Sequence, residues 1–224
     1  VNPTQFGPNE DFSTYPRDLE ADLLVCESLD VDIVFTPSTQ DIYGNSPYPT
    51  EVYIPTLSQL YCGESRKDFF KGICSVVLRL FMIIQPDIAI FGEKDYQQFR
   101  LLVQMVEDLF LPITIISVPI YREQNGLAMS SRNAYLTVTE QEEASVIYKA
   151  LLSAKQRFLE GSQKASYLIQ HITDIISENS RIIIDYCVII NHQSLEKQET
   201  ASKHNRILIA AYLNKTRLID NIDL

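Results

Sequence analysis

The chain has no tryptophan, few glycines, four scattered cysteines and three histidines that all lie late in the sequence. No two cysteines form a C-x-x-C pair, and this spacing argues against a structural zinc site. Separate thiols of this kind are typical of proteins in a reducing compartment. No apolar run approaches the ~20 residues that a membrane span needs, and the visible start lacks the charged and apolar regions of a signal peptide. These absences favour a cytoplasmic protein without a membrane span or a structural zinc ion.

Positive charge is also scarce. The chain carries 19 Lys and Arg against 29 Asp and Glu, a net charge of -10, whereas a nucleic-acid-binding domain normally shows a basic face. The balance argues against a nucleic-acid partner, but local donors can still hold a phosphorylated small molecule. With 224 residues, 46% of them hydrophobic, the chain can bury the core of one or two domains.

Common nucleotide-binding and hydrolase motifs are missing too. The sequence has no G-x-x-x-x-G-K-[ST] loop, no G-x-G-x-x-G turn and no Ser-His-Asp set with a supporting order or spacing. The polar residues that are present suggest electrostatic positioning of a nucleotide rather than nucleophilic catalysis.

The most informative tract covers residues 91–98. The apolar run 88–91 stops at Gly92, two opposite charges follow, and helical periodicity then begins. In an open α/β sheet such a turn lies at the carboxyl end of a strand, where ligands bind. Lys94 beside free amides at a helix start suits phosphate, and Asp95 could accept from ribose hydroxyls. The alternative is an ordinary helix N-cap on a solvated turn.

Three further sets of polar side chains are candidates for binding. Residues 130–132 supply two hydroxyls and a guanidinium with no acid beside them until Glu140, which suits a polyphosphate or, alternatively, a polar turn with an exposed arginine. Residues 2–7 place amide side chains beside turn-forming residues. Gln97 and Gln98, at a helix start, are either solvated or hydrogen-bonded to a substrate hydroxyl or carboxylate.

Hydrophobic periodicity divides the first part of the chain into helices and strands. The predicted helices are 19–28, 70–85 and 97–109, the predicted strands are 32–35, 88–91 and 113–118, and residues 1–18 and 38–58 are predicted loops. The β-α-β-α-β order with fully apolar strands predicts a parallel sheet that helices cover on both faces.

The organisation changes beyond residue 120. After a polar loop over 121–136, a capping box at 139–142 opens a long helix that Gly161 ends, and a second helix follows over 164–178. Strands are predicted at 182–190, 207–213 and 216–219. Helices followed by strands without alternation indicate a separate α+β unit, so we place a domain boundary near Ile120.

Four tracts in this order resemble the pantothenate synthetases, the pantoate–β-alanine ligases of the HIGH-type nucleotidyltransferase superfamily. They are residues 1–7, 91–98, 126–133 and 216–221, and residues 10–12 and 15–17 also fit. The likeness covers essentially the whole chain and is weakest between residues 155 and 206. It implies an α/β fold, with a Rossmann-like nucleotide- and pantoate-binding domain over 1–120 and a smaller C-terminal α+β lid domain over 121–224.

The resemblance also implies an activity. ATP and pantoate would give pantoyl adenylate and pyrophosphate, and the amine of β-alanine would then displace AMP to give pantothenate. ATP would be a substrate, Mg²⁺ would screen its phosphates, and the protein would be a cytoplasmic homodimer that binds neither nucleic acid nor membrane.

Site residues follow from the same resemblance. The implied ATP contacts are Gly92, Glu93, Lys94, Asp95, Tyr121, Met129, Ser130, Ser131 and Arg132. The implied pantoate and β-alanine contacts are Asn2, Gln5 and Gln98. Four of the ATP contacts, Lys94, Ser130, Ser131 and Arg132, would act in catalysis, Tyr121 would contact adenine through its backbone, and no residue is implied as a metal ligand.

Two departures from the family pattern set further expectations. The Met-x-x-Leu-His-x-x-His segment near the family's start is absent, and no histidine precedes His171; Phe69 stands where the family usually has histidine, and residues 61–63 replace Leu-Glu-Gly. We therefore expect a chain without the N-terminal βαβ unit, of low stability and activity by itself. An inactive remnant and another adenylyl- or cytidylyltransferase of the superfamily are the open alternatives.

Overall fold

Helices and a parallel strand pair make up the first half of the chain. The computed structural model describes residues 1–7, 10–45 and 49–224. Its helices up to residue 108 are α1 (Leu19–Ser28), α2 (Thr39–Tyr43), α3 (Pro55–Ser58), α4 (Cys62–Ser65), α5 (Phe69–Ile84) and α6 (Tyr96–Asp108), and its strands there are β1 (Ile88–Gly92) and β2 (Thr114–Val118). The two strands pair in parallel with Ile88 opposite Thr114, which confirms the predicted parallel sheet.

The second half is a helical layer on an antiparallel sheet. Its helices are α7 (Val138–Ala144), α8 (Val146–Leu159) and α9 (Ala165–Asn179), and its strands are β3 (Ile183–Asn191), β4 (Asn205–Leu213) and β5 (Thr216–Asp223). The sheet order is β3-β4-β5. This arrangement confirms the α/β class with a smaller antiparallel unit.

Helices α5 and α6 match the predicted ranges to within one residue at each end. Their apolar stripes bury Ile73 and Cys74 on α5 and Leu101, Leu102 and Met105 on α6. Both stripes pack on the same face of the β1–β2 sheet, because the apolar face of an amphipathic helix must be covered by another layer.

The other face of this sheet is not covered by the described residues. Accessibility alternates along both strands, and the outward side chains are exposed, with Ile90 at 64% and Ile88, Ile116 and Val118 at lower values. The prediction of a sheet covered on both faces is therefore wrong for the described part of the chain. The apolar sequence of a strand shows what it can bury, but not which side a helix takes.

The prediction of a strand at 32–35 is also wrong. These residues have no regular structure, and Ile33 is 83% exposed. A strand exists only when its backbone pairs with a neighbour, and this segment has no ladder partner in the parts of the chain that are described. The helix at 19–28 is confirmed, capped by the Asp18 carboxylate, which accepts from the Ala21 amide at 3.0 Å.

Two predicted loops contain short helices. Ser38 and Asp41 form a capping box that starts α2, and Pro55 starts α3. Residues 46–48 of the predicted 38–58 loop lie outside the described residues. The same is true of residues 8–9 in the predicted 1–18 loop, which includes the 3-10 helix Pro3–Gln5.

The capping box that opens the C-terminal helices lies two residues earlier than predicted. Thr137 caps α7, and the Glu140 carboxylate accepts from the Thr137 amide at 2.8 Å. The sequence contains two overlapping T-x-x-E matches, and the helix uses the first one. The predicted long helix is divided at Ser145, whose hydroxyl donates to the Glu142 carbonyl at 2.6 Å. Gly161, at φ 105°, follows the end of α8 as predicted.

Three apolar clusters show how the two halves relate. The first buries α8 and α9 against the antiparallel sheet and uses only residues after 126. The second lies around α5 and α6, and the third joins Tyr96 to Val188, Ile190, Leu195 and Leu208 across the two halves. The division near residue 120 stays a prediction. No helix of the described residues is long and apolar enough to cross a membrane.

Candidate active site

A cavity of about 1140 Å³ lies where the first strand ends, between the N-terminal segment and the β4–β5 hairpin. The predicted site residues that line it are Asn2, Gln5, Lys94, Asp95, Gln98, Ser130 and Arg132. Segments from both halves of the sequence therefore meet at the carboxyl end of β1, which is the position that open α/β sheets use for ligands.

The turn after β1 presents Lys94 to this cavity. Gly92 ends the strand, the 3-10 helix Glu93–Asp95 follows, and α6 begins at Tyr96. A Cβ on Gly92 would meet no atom within 4 Å, so the backbone is open to a ligand here. The side chain of Glu93 points elsewhere: it accepts from the Ser117 hydroxyl at 2.8 Å and pairs with Arg206 at 3.2 Å.

A residue of β5 holds this turn in place. The side-chain amide of Asn221 donates to the carbonyls of Glu93 and Lys94 at 2.8 and 3.0 Å, and its oxygen accepts from Arg206 at 2.6 Å. Asn221 is only 2% exposed. Neither Asn221 nor Arg206 was singled out as a site residue from the sequence, although Asn221 ends the last of the four matching tracts.

The N-terminal turn is held by its own hydrogen bonds and by α5. The Asn2 side-chain oxygen accepts from the Thr4 amide at 3.3 Å and from the Tyr43 hydroxyl at 2.9 Å. Gly72 of α5 lies directly against this turn, because a Cβ there would collide with the Thr4 carbonyl. The Gln5 side chain lines the cavity, and its backbone carbonyl accepts from the Arg66 guanidinium at 3.1 Å.

Arg66 connects this turn to the following loop. Its guanidinium binds both oxygens of Glu10 at 2.6 Å and lies over the Phe69 ring, 3.4 Å from the centroid. Burial by itself would raise the pKa of Glu10, but the hydrogen bonds and positive charge of Arg66 outweigh it and lower that pKa. Phe69, at the position where the family usually has histidine, therefore packs against the Arg66 guanidinium.

A second arginine–carboxylate pair lies beside the first, because its acid, Asp11, directly follows Glu10 in the chain. Arg132 binds both oxygens of Asp11, at 2.8 and 3.0 Å, and the Tyr135 hydroxyl donates to the same carboxylate at 3.1 Å. The sequence shows no acid beside residues 130–132 until Glu140. The fold nevertheless brings Asp11 next to Arg132, although the two are 121 residues apart in the sequence. Burial opposes the effect, but Arg132 lowers the pKa of Asp11.

The remaining predicted ATP contacts do not line the cavity. Ser131 begins the 3-10 helix Ser131–Tyr135, which Ser130 caps by accepting from the Arg132 amide at 3.3 Å. The Tyr121 side chain is 77% exposed, and its backbone carbonyl accepts from the Met129 amide at 2.9 Å. The contact of this backbone with adenine stays a prediction.

The two glutamines at the start of α6 behave differently. Gln97 is buried, and its amide donates to the Leu57 and Leu60 carbonyls at 2.9 and 2.8 Å. It anchors the preceding segment and is not solvated. Gln98 lines the cavity, where its amide can reach a ligand.

Comparison with known proteins identifies the family. The model of the Pantoate-beta-alanine ligase family matches residues 1–223. A pantothenate synthetase of Thermosipho africanus is 45% identical over 99% of this chain and 79% of its own length, and one of Aquifex aeolicus is 46% identical over 99% and 78%.

Solved structures agree with this match. The pantothenate synthetase of Thermus thermophilus is 36% identical, with a TM-score of 0.95 over 99% of this chain and 80% of that one. The pantoate–β-alanine ligase of Francisella tularensis, solved in complex with β-γ ATP and β-alanine, is 35% identical, with a TM-score of 0.76 over 100% of this chain and 76% of that one. The chain described here therefore belongs to the pantoate–β-alanine ligase family, the pantothenate synthetases.

Proposed function

We propose that this protein condenses pantoate with β-alanine at the expense of ATP, through a pantoyl adenylate, and releases AMP and pyrophosphate. The observation that carries the proposal is the shared cavity. Lys94, Ser130 and Arg132 supply cationic and hydroxyl donors on its walls, and Gln5 and Gln98 supply amides. An ATP-dependent acid–amine ligase needs both kinds of donor in one cavity, because the phosphates and the acid must be bound side by side.

The first step activates the carboxylate of pantoate. One carboxylate oxygen attacks the α-phosphorus of ATP, a new P–O bond forms, and pyrophosphate leaves with the electrons of the broken P–O bond. Negative charge increases on the phosphate oxygens during this step, and an ammonium group held in position stabilises it more than mobile water does. Lys94 fits this role, because Asn221 fixes the backbone on which it stands.

The second step forms the amide bond. The neutral amine of β-alanine attacks the acyl carbon, a C–N bond forms, the bond from that carbon to the AMP oxygen breaks, and the amine proton is lost to solvent. Gln5 and Gln98 can hydrogen-bond the hydroxyls of the pantoyl group throughout, because amides do not change protonation between the two steps.

The other predicted contacts remain part of the proposal. We assign Gly92, Glu93 and Asp95 to the ATP-binding turn and Met129, Ser131 and the Tyr121 backbone to the loop above it. In this arrangement residues 121–224 act as a lid on a nucleotide-binding domain formed by residues 1–120. Self-association as a homodimer is likewise a prediction, which sedimentation equilibrium of the purified protein tests.

Magnesium belongs to the substrate in this proposal. Among the described residues, no three His, Cys, Asp or Glu side chains cluster as a metal site. Mg²⁺ usually keeps several waters and binds substrate phosphates with few protein ligands. In this proposal the protein binds the phosphates of a Mg²⁺–ATP complex, and the ion stays with the substrate.

Isotope transfer tests the proposed intermediate. With pantoate labelled by ¹⁸O in its carboxylate, attack on the α-phosphorus predicts one labelled oxygen in the released AMP, and pantoate-dependent exchange between ATP and pyrophosphate without β-alanine. Formation of ADP, exchange that does not need pantoate, or a requirement for CTP would each refute the proposal.

A matched pair of variants tests the role of Lys94. Lys94→Met should lower the exchange rate by about 10²- to 10³-fold, as loss of one fixed donor does in other enzymes. Lys149→Met, which removes an exposed lysine of α8 that pairs with Glu142, should leave the rate unchanged. Equal rates for the two variants would contradict the assignment.

A further inference from the structure

One wall of the cavity contains two arginines that point at the same thiol. The Nη1 atoms of Arg217 and Arg66 lie 3.7 and 4.0 Å from the Sγ of Cys62. All three residues line the cavity. A thiol sulfur is a weak acceptor, so two charged donors converge on a group that satisfies neither of them well.

Both guanidinium groups are fixed by carboxylates on their other edge. Arg217 donates from Nε and Nη2 to one oxygen of Asp185, at 3.1 and 2.8 Å, and Arg66 uses the same two atoms to bind Glu10. The arginine side chains are only 15% and 14% exposed. The Nη1 edges are therefore the ones left beside Cys62, and their positions are set before any ligand arrives.

A carboxylate is the ligand that suits this pair. It is planar, carries two acceptor oxygens, and forms short charge-assisted hydrogen bonds with guanidinium groups. We propose that Arg66 and Arg217 bind the carboxylate of β-alanine at this wall of the cavity. The inference rests on the proposed function, because that function supplies the amino acid substrate.

The chemistry of the reaction favours β-alanine over the other anions present. The pantoate carboxylate loses its charge when the adenylate forms, and the ATP phosphates are assigned to Lys94, Ser130 and Arg132. The carboxylate of β-alanine is the anion that keeps its charge from substrate to product. Two arginines held in fixed positions suit a charge that never changes, and they would make the enzyme reject amines that lack a carboxylate.

Arg217→Gln is the direct test, because Arg66 also holds the Gln5 carbonyl. The KM for β-alanine should rise roughly 10- to 100-fold, the range expected for a hydrogen bond to a charged group. Pantoate-dependent ATP–pyrophosphate exchange, measured without β-alanine, should not change. The preference for β-alanine over propylamine should fall by a similar factor.

Two further variants make the result specific. Arg181→Gln removes an arginine whose side chain is 64% exposed and whose pair with Glu143 does not line the cavity; it should leave every one of these parameters unchanged. Cys62→Asp places a permanent carboxylate between the two guanidinium groups. It should raise the KM for β-alanine, because the internal carboxylate competes with the substrate.

The outcomes separate this inference from the proposed function. If the wild type exchanges pyrophosphate with pantoate, and Arg217→Gln keeps both its β-alanine KM and its preference over propylamine, the subsite is refuted. If the wild type shows no exchange, the proposed function fails. Calorimetric titration of wild type and Arg217→Gln with β-alanine then decides the subsite by itself, since equal affinities overturn it and a 10-fold or larger loss supports it.

Discussion

Replacing Gly72 with alanine should displace the turn that carries Asn2 and Gln5, although alanine is the better helix former. Gly72 lies within α5, and a Cβ there would stand 2.7 Å from the carbonyl carbon of Thr4 and 2.9 Å from its hydroxyl oxygen. Non-bonded carbon atoms prefer about 3.5–4.0 Å. The turn must therefore move by about 1 Å to restore ordinary contacts.

Two opposing free energies decide the effect on stability. Alanine favours a helix interior over glycine by about 0.8–1 kcal/mol, whereas forcing an extra carbon into a closely packed contact costs about 1–3 kcal/mol. We expect the Gly72→Ala variant to lose up to about 2 kcal/mol in its free energy of unfolding. The effect on activity should be larger, because a 1 Å misplacement of a binding group can cost about 100-fold in rate.

The assay combines urea unfolding with pantoate-dependent ATP–pyrophosphate exchange. Gly7→Ala is the matched control, because it lies in the same N-terminal segment and its Cβ would meet the Glu10 side chain at an ordinary 3.6 Å. A Gly72→Ala protein that is about 1 kcal/mol more stable than wild type and has an unchanged pantoate KM would contradict the prediction. It would mean that the contact between Gly72 and Thr4 does not position the turn that carries Asn2 and Gln5.

The remaining predictions concern three other contacts. Arg122→Met should lower the free energy of urea unfolding by about 3–5 kcal/mol, because it leaves the buried Asp220 carboxylate without its partner, whereas Lys149→Met, at the exposed pair with Glu142, should cost under about 1 kcal/mol. The pKa of Glu10 is lower in the folded protein than its unfolded value of 4.5. Its ion pair with Arg66 therefore stabilises the fold fully above pH 4.5, and this stabilisation is lost as the pH falls through the folded pKa. Glu10→Gln should flatten the pH dependence of the urea midpoint below pH 4.5. Asn221→Asp should slow exchange at least about tenfold, because the turn carrying Lys94 loses two donated bonds; an unchanged rate would contradict this.

Local sequence rules located the elements whose structure depends on their own periodicity. Helix α6 begins within one residue of its prediction, because its apolar stripe and its capping turn are neighbours in sequence. The segment at 32–35 has equally apolar residues but no strand, because strand formation depends on a partner that periodicity does not report. The break at Ser145 is a different case, because the hydroxyl that marks it bonds locally, to the Glu142 carbonyl three residues earlier, and the continuous helical pattern around it does not report this bond.

The site divides in the same way. Lys94 and Ser130 were found because they stand beside a glycine turn and in a cluster of donors, and both line the cavity. The partner of Arg132 could not be read from its neighbourhood, since Asp11 lies far away in the chain. Asn221 reads as an ordinary polar residue on a strand, and only the fold shows that it supports the lysine turn.

Charge and packing close different parts of the cavity, and they respond to different solution conditions. The pairs of Arg66 with Glu10 and of Arg132 with Asp11 hold the N-terminal segment at the rim, whereas Tyr96 and Leu208 join the two halves below it through apolar contact. A salt concentration of about 1 M shortens the screening length to about 3 Å and weakens the rim pairs only as far as their partly exposed side chains meet water, whereas sulfate strengthens apolar burial. Ionic strength therefore acts on the rim of the cavity, whereas the kind of anion acts on the apolar contact that joins the two halves.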